Sequence, residues 1–250
     1  MIDLNAVYII WLREMKRFFR DRSQILIGCV RPVTWLFFMG YGLSPSVHNT
    51  RGPGYVSFVL PGIIVMAVLF TSIQSSISII WDREFGFLKE MLVAPISRTS
   101  IVVGKACGGT TLSIIEGTIV LLLGPLVGVK LPAVEVILCL LIMAGLSFGI
   151  SAMGITIASR MKSFEGFGAI MNFVVMPLFL LSGALFPLQG LPPWLGVLVR
   201  LNPLSYGVDL LRGRLLKMQQ YPTLLSLCVL SGFAALMIST AVYQFNRQDS

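Results

Sequence analysis

Six long apolar runs occupy most of this 250-residue chain, and they restrict its fold more than any other feature. A helix needs roughly 20 apolar residues to cross the hydrocarbon core of a bilayer, which is about 30 Å thick. Hydrophobic residues make up 56% of the sequence and charged residues 12%, which would leave large apolar patches on a soluble protein. The sequence therefore predicts an all-α integral membrane protein with six transmembrane helices, near residues 24–43, 57–80, 106–128, 134–158, 167–186 and 222–243.

The spans and their short connections use nearly every residue, so we predict a single membrane domain over residues 1–250. Short cytoplasmic loops retain more Lys and Arg than outer loops do. This rule predicts a multi-pass protein of the cell membrane with both termini in the cytoplasm. The outer segment before the last span is also basic, so a five-span or seven-span count stays open; its cations are Arg200, Arg212, Arg214 and Lys217.

Residues 1–23 are predicted to form an amphipathic helix that lies in the membrane interface. Basic residues interrupt the stretch where a cleavable signal peptide has its apolar core, so we expect this segment to be retained. A helical projection separates an apolar face from a basic face, which suits the headgroups of the cytoplasmic leaflet. The apolar face comprises Val7, Tyr8, Trp11, Leu12, Met15, Phe18 and Phe19, and the polar face Arg13, Lys16, Arg17, Arg20 and Asp21. The segment could instead extend the first span as a tilted cytosolic stub.

The net charge of +8 points to membrane lipids and not to nucleic acid. The cations lie at membrane borders, where anionic headgroups attract each one by about 1 kcal/mol. The four cysteines lie in separate apolar runs without CxxC spacing, and the single histidine is far from them in sequence. We therefore expect neither a metal site nor a disulfide framework.

A charged segment, WDREFGFLKEMLVAPISR from Trp81 to Arg98, separates the second and third spans. A helical projection of Asp82 to Leu92 separates an apolar side from a charged side, and Glu84 breaks the pattern. The apolar side holds Phe85, Leu88, Met91 and Leu92, and the charged side holds Asp82, Arg83, Gly86, Lys89 and Glu90. Charges of both signs favour a protein partner over anionic lipid. A solvated loop helix is the open alternative.

Two ionisable residues, Arg31 and Glu116, lie inside the predicted spans. Each costs several kcal/mol unless it faces protein or water. They are candidates for lining a substrate path, although pairing between them or snorkelling of Arg31 explains them equally well at this stage.

The segment from Pro187 to Pro222 is long for a loop and rich in apolar residues. We predict two short helices that dip into the outer leaflet and meet at the turn Asn202-Pro203. A surface cap without a gating role is the alternative.

Three stretches resemble the permease subunits of type-2 ATP-binding cassette (ABC-2) exporters, in particular the daunorubicin-resistance and nodulation-exporter branch. The first runs from Phe58 to Lys105 and contains FVLPGIIVMAVLF and the charged segment above. The second is NPLSYGVDLLRG, Asn202 to Gly213, and the third is RPVTWLFFMGYGL, Arg31 to Leu43.

This resemblance implies a six-span permease that pairs with a second copy or a sister permease and sits on two ATP-binding subunits. Those subunits, and not this chain, would bind ATP and Mg. A coupling helix would contact the ATP-binding subunit; the residues carried over to it are Asp82, Arg83, Glu84, Phe85, Gly86, Lys89 and Glu90. The outer helices would form an external gate with Asn202, Pro203, Tyr206, Asp209 and Arg212.

The chain is not expected to be an enzyme or to hold a cofactor itself. Gly104-Lys105 is followed by Ala106 and lacks the upstream glycine of a phosphate-binding loop. The predicted function is export of an amphipathic, drug-like or lipid-linked substrate. The alternatives are export of a polysaccharide or lipo-oligosaccharide and, in a different class, a membrane enzyme or assembly factor without transport activity.

Overall fold

The computed structural model describes residues 3–43, 54–161, 163–188 and 192–247, and all regular structure within these ranges is helical. The helices are α1 (Leu4–Arg20), α2 (Arg22–Leu43), α3 (Tyr55–Ser75), α4 (Ile77–Glu84), α5 (Phe87–Val93), α6 (Arg98–Leu121), α7 (Ala133–Ala158), α8 (Phe164–Leu180), α9 (Pro193–Leu201), α10 (Pro203–Leu216) and α11 (Thr223–Asn246). The all-α prediction is confirmed for the described residues.

Four helical stretches of the described chain are long and apolar enough to cross a membrane. They are Tyr55–Glu84, which joins α3 and α4; Arg98–Val127, which is α6 with a short 3-10 turn; Ala133–Ala158; and Thr223–Asn246. The other two predicted spans, 24–43 and 167–186, fall on α2 and α8, whose apolar stretches Leu26–Phe38 and Phe164–Leu180 are shorter. The structure therefore shows four apolar helices of membrane-spanning length among the described residues, and the six-span count and its bounds stay predictions.

Helix α3 lies at the centre of the bundle, between α2, α6, α7 and α10. Small residues let its neighbours approach closely. A Cβ atom at Gly109 of α6 would lie 2.3 Å from Ser75 Oγ, and one at Gly154 of α7 would lie 2.4 Å from Ser76 Oγ. Such contacts suit helices in lipid, where close van der Waals packing holds the bundle together.

Helix α1 packs along α6, so the orientation predicted for it needs correction. Its buried face consists of Ala6, Ile10, Glu14, Met15 and Phe18. Tyr8 and Phe19, which the projection placed on the apolar face, are exposed. Glycines of α6 allow the contact, because a Cβ atom at Gly108 would lie 2.9 Å from Glu14. A predicted lipid-facing helix is thus held against the third span through a face that includes a carboxylate.

Helix α6 begins at Arg98, eight residues before the predicted third span, with the Ser97 side chain accepting the Ser100 N–H at its amino end. Lys105 therefore lies inside this helix and is 4% exposed. The predicted third span, 106–128, left Lys105 just outside the bilayer, and that boundary was wrong for the helix.

Candidate coupling surface and intramembrane cavity

The charged segment after the second span is bent and not one continuous helix. Helix α4 ends at Glu84, α5 begins at Phe87, and Gly86 between them has the left-handed backbone angle φ = 77°. A left-handed residue interrupts the α-helical hydrogen-bond pattern, and glycine adopts this conformation without steric cost. The prediction of a single helix from Asp82 to Leu92 was therefore wrong at Phe85-Gly86.

We define the elbow surface as the exposed residues around this bend, namely Glu84, Phe85, Phe87, Glu90 and Val93. Phe85 is 72% exposed, whereas the projection grouped it with Leu88 and Met91, which are buried. The bend rotates Phe85 away from those two residues. The side chains of Lys89 and Leu92 lie outside the described part of the structure.

Behind the elbow surface lies a cluster of two cations and two carboxylates, which we define as the charge cluster of Arg13, Glu14, Asp82 and Lys105. The Lys105 ammonium donates to Asp82 at 2.6 Å and to Glu14 at 3.0 Å, and Asp82 also accepts from Arg13. Helices α1, α4 and α6 each contribute to it. Asp82, predicted to face a partner, is buried with 3% exposure and fully engaged inside the protein.

The charge cluster also contacts the elbow itself. The Arg13 guanidinium lies 4.2 Å from the centre of the Phe87 ring, a cation–π contact between α1 and α5. A movement of α5 therefore acts directly on α1 as well as on α4.

Arg83, also predicted to face a partner, instead caps α7. Its guanidinium donates to the carbonyls of Met161 at 2.6 Å and Ser159 at 2.5 Å, beyond the last turn of that helix. Arg98 donates in the same way to the Phe245 carbonyl at the end of α11, at 2.7 Å. Cations favour the carboxyl end of a helix, where carbonyls lack helical partners. The charged segment is thereby fixed to two long spans.

Sequence reasoning missed three members of the charge cluster. Arg13 was assigned to the polar face of α1, Glu14 was not considered, and the third span was predicted to begin just after Lys105. One signal was present: Glu14 is a lone carboxylate within a helix that is otherwise apolar and basic, and a buried carboxylate needs a cation.

A cavity of about 480 Å³ lies beside the charge cluster, lined by residues of α1, α2, α3, α4, α6 and α8. Both intramembrane charges predicted from the sequence, Arg31 and Glu116, lie on its wall. Glu116 is buried and accepts a hydrogen bond from Thr71. Arg31 lies over the Phe70 ring at 5.1 Å from its centre.

The wall of this cavity carries a polar stripe that sequence analysis did not recognise. Thr71, Gln74, Ser75 and Ser78 line it from consecutive turns of α3 and α4. Residues three and four apart share one helix face, and this face interrupts the most buried of the four long apolar stretches. A polar stripe in such a span indicates a surface that contacts water or a polar ligand.

Four of the five residues predicted for an outer gate, Asn202, Tyr206, Asp209 and Arg212, are buried and hydrogen-bonded within the protein. Asn202 begins α10 and donates to the Leu178 carbonyl at 2.6 Å, with Pro203 in the first turn behind it. Tyr206 donates to the Arg200 carbonyl at 2.9 Å. These contacts hold α10 against α8 and α9.

Asp209 and Arg212 continue the same pattern on α10. Asp209 accepts the backbone N–H groups of Gln220 at 2.8 Å and Tyr221 at 3.0 Å, and Arg212 donates to the Gly183 carbonyl at 2.8 Å. Burial raises the pKa of Asp209 and lowers the pKa of Arg212 to about 10. Their positions support a structural role at least as strongly as a gate.

The fold and the site together define a multi-pass helical membrane protein with a polar internal cavity. Residues 5–216 match the model of the ABC-2 type transporter family. The chain belongs to this family, as the resemblance noted in the sequence indicated.

Relatives with assigned names carry the same description. A protein named transport permease ycf38 from Cyanophora paradoxa is 33% identical over 84% of this chain and 73% of its own length. The inner membrane transport permease YadH of Escherichia coli (strain K12) is 27% identical over 91% of this chain and 90% of its own. Nodulation protein J of Rhizobium leguminosarum bv. viciae is 26% identical over 78% and 75%.

Proposed function

We propose that this chain is the permease subunit of an ATP-driven exporter and that the elbow surface is where a separate ATP-binding subunit docks. Two such subunits and a second permease copy or sister permease complete the transporter. The substrate is amphipathic, either drug-like or lipid-linked. The observation that carries the proposal is the exposed elbow surface fixed at its back by the buried charge cluster.

The chemistry of the elbow surface suits a protein partner. Exposed aromatic side chains contribute strongly when a partner buries them, and Phe85 and Phe87 are both available. Glu84 and Glu90 flank them with exposed carboxylates. Such charges orient an approaching groove of opposite sign and select against wrong partners.

The contacts behind the elbow surface support a lever role. Force on α5 reaches α1 through Arg13, α6 through Lys105 and α7 through Arg83. The energy comes from the partner, because a ligand shifts a conformational equilibrium only through different affinities for the two states. ATP-bound and ATP-free partners would hold the elbow in different positions.

The capping contacts also support the proposed six-span topology with both termini in the cytoplasm. The carboxyl ends of α7 and α11 lie at the end of the bundle that carries the elbow, since Arg83 and Arg98 cap them. At the other end Ser57 donates to the Val127 carbonyl at 2.6 Å. The shorter helices α2 and α8 would complete the crossings.

The outer basic segment raises less difficulty for this topology than its sequence suggested. Arg212 is buried and donates to the Gly183 carbonyl. This cation is therefore not presented to the bilayer surface, which makes it compatible with an outer position.

The test is charge reversal at the elbow surface, with Glu84→Lys and Glu90→Lys combined. We expect the double variant to insert normally but to lose co-purification with the ATP-binding subunit and substrate-dependent ATP hydrolysis. Glu165→Lys is the matched control, because Glu165 is an exposed carboxylate in the first turn of α8 and outside the elbow surface. Full transport by the double variant would reject the docking role.

A further inference from the structure

The cavity contains two opposite charges that are not paired with each other. Glu116 is bonded to a neutral hydroxyl, that of Thr71, and the Arg31 guanidinium lies on an apolar ring. Among the described residues, neither Arg31 nor Gln74 makes a side-chain hydrogen bond to another residue. The two side chains are near enough to interact electrostatically. Each still has hydrogen-bonding capacity that a ligand in this cavity can use.

The other charges on the wall leave the cavity close to neutral. Glu14 is neutralised by Lys105, and Arg17 and Asp21, which are of opposite sign, lie together at the end of α1. A purely anionic ligand would gain from Arg31 but would be repelled by Glu116. A purely cationic ligand would be attracted by Glu116 but repelled by Arg31, and a neutral ligand would form an ion pair with neither.

Both charges lie beside α2. Gly28 of α2 packs directly on Glu116 of α6, since a Cβ atom there would lie 2.1 Å from Glu116 Oε1. Arg31 is one turn further along α2, roughly 4.5 Å along the axis at 1.5 Å per residue. One headgroup that carries both an anionic and a cationic group can therefore contact the two side chains together.

The remaining wall offers an apolar surface beside these charges. The apolar side chains on the wall are Ile27, Met66, Phe70, Trp81 and Phe164. Phe70 lies against Arg31, and Trp81 packs on Phe164. A volume of about 480 Å³ is in the range of pockets for small organic ligands. The cavity can therefore hold a polar headgroup together with the first part of an apolar tail.

We propose that this cavity binds a zwitterionic amphiphile, with Arg31 holding its anionic group and Glu116 its cationic group. This inference names the substrate class for the proposed exporter and rests on that function for its transport consequence. Binding itself does not depend on the ATP-binding subunit. The binding proposal and the exporter proposal can therefore each be rejected while the other stands.

The experiment measures binding to the full-length permease in phosphatidylglycerol nanodiscs. Trp81 serves as reporter, with the other tryptophans replaced by Phe, and brominated tails quench its fluorescence. The probes share one tail length: lysophosphatidylethanolamine is zwitterionic, lysophosphatidylglycerol anionic, an alkylamine cationic and a monoacylglycerol neutral. We expect the zwitterion to bind about tenfold more tightly than each of the others, which corresponds to about 1.4 kcal/mol.

Variants of the two charges should switch this preference in opposite directions. Arg31→Met should bind the alkylamine best, Glu116→Gln should bind lysophosphatidylglycerol best, and Arg31→Lys should retain the zwitterion. A merely structural role would lower binding of all probes together. Equal affinities for the four probes, or equal losses in Arg31→Met and Glu116→Gln, would overturn the proposal.

The outcome separates this inference from the proposed function. Selective binding in a permease that fails to couple to an ATP-binding subunit would support the inference and count against the exporter. Coupled export without headgroup selectivity would support the exporter and overturn the inference.

Discussion

At the scale of single residues, Lys105 has the most consequential position in the molecule. Its ammonium contacts two carboxylates and the Ser78 hydroxyl, and its side chain is 2% exposed. Glu14, Asp82 and Lys105 are taken out of water, whereas the Arg13 side chain is 31% exposed. Burying three charges is costly, and the geometry of the cluster offsets that cost only while each of them has its partner.

We predict that Lys105→Met strongly destabilises the protein, because it leaves Glu14 and Asp82 as buried carboxylates with one cation between them. Removing one partner of a buried ion pair costs about 3–5 kcal/mol. The measurement is the temperature at which the detergent-solubilised protein loses its monodisperse chromatographic peak.

Lys217→Met is the matched control for this prediction. Lys217 also pairs with a glutamate, but its side chain is 71% exposed, and exposed pairs contribute about 0–1 kcal/mol. Equal losses of thermal stability in the two variants would show that the charge cluster has no special structural role.

The sequence identified several important residues but not their partners. Asp82 was recognised as a charged position beside the bilayer, yet periodicity placed it on an outward face. Its cations lie 23 and 69 residues away along the chain. A local pattern contains no information on such pairings, whereas Arg31 and Glu116 were found because a charge inside an apolar run is visible locally.

At the scale of elements, the bend between α4 and α5 matters more than either helix. It projects Phe85 outward while α4 stays fixed by Asp82 and Arg83. Gly86 was visible in the sequence as a glycine inside a helical pattern, which is a signal for a break. The projection treated it as a polar-face residue and so predicted a straight helix.

We predict that Gly86→Ala disturbs coupling, because an alanine in the left-handed region costs about 1–2 kcal/mol and favours a different bend. Stimulation of ATP hydrolysis by substrate should fall, while insertion and expression stay normal. ATPase assays on the reconstituted transporter measure the effect.

Gly128→Ala provides the control, because Gly128 has φ = 81°, close to that of Gly86, and neither position has another atom within reach of a new Cβ. The backbone cost should be similar, but Gly128 lies after the 3-10 turn that follows α6, away from the elbow. Equal loss of coupling in both variants would mean that a general loss of stability, and not the bend at the elbow, lowers the stimulation of ATP hydrolysis.

At the scale of the whole molecule, the sequence predicted the apolar runs well because composition over some 20 residues is a strong signal. The predicted ends of the helices were less accurate. The helix that carries the predicted third span begins at Arg98, where Ser97 caps it, and not at residue 106. Helix α8 has 17 residues, which spans about 25 Å and is shorter than an average bilayer core.

The proposed topology predicts opposite accessibility at the two ends of the bundle. After replacement of the native cysteines, Val93→Cys on α5 should react with an impermeant maleimide only in permeabilised cells, whereas Leu126→Cys at the other end should react in intact cells. Both positions are exposed, at 86% and 75%. Reaction of Val93→Cys in intact cells would contradict an even number of crossings before and after the elbow.

The central claim is that the elbow surface contacts a soluble ATP-binding subunit, and photo-crosslinking in living cells tests it most directly. A photoreactive phenylalanine at position 85 should form a covalent adduct with that subunit. The same group at Phe173, which is 82% exposed on the apolar helix α8, should not. An adduct from position 173 but none from position 85, with both proteins present, would contradict the account.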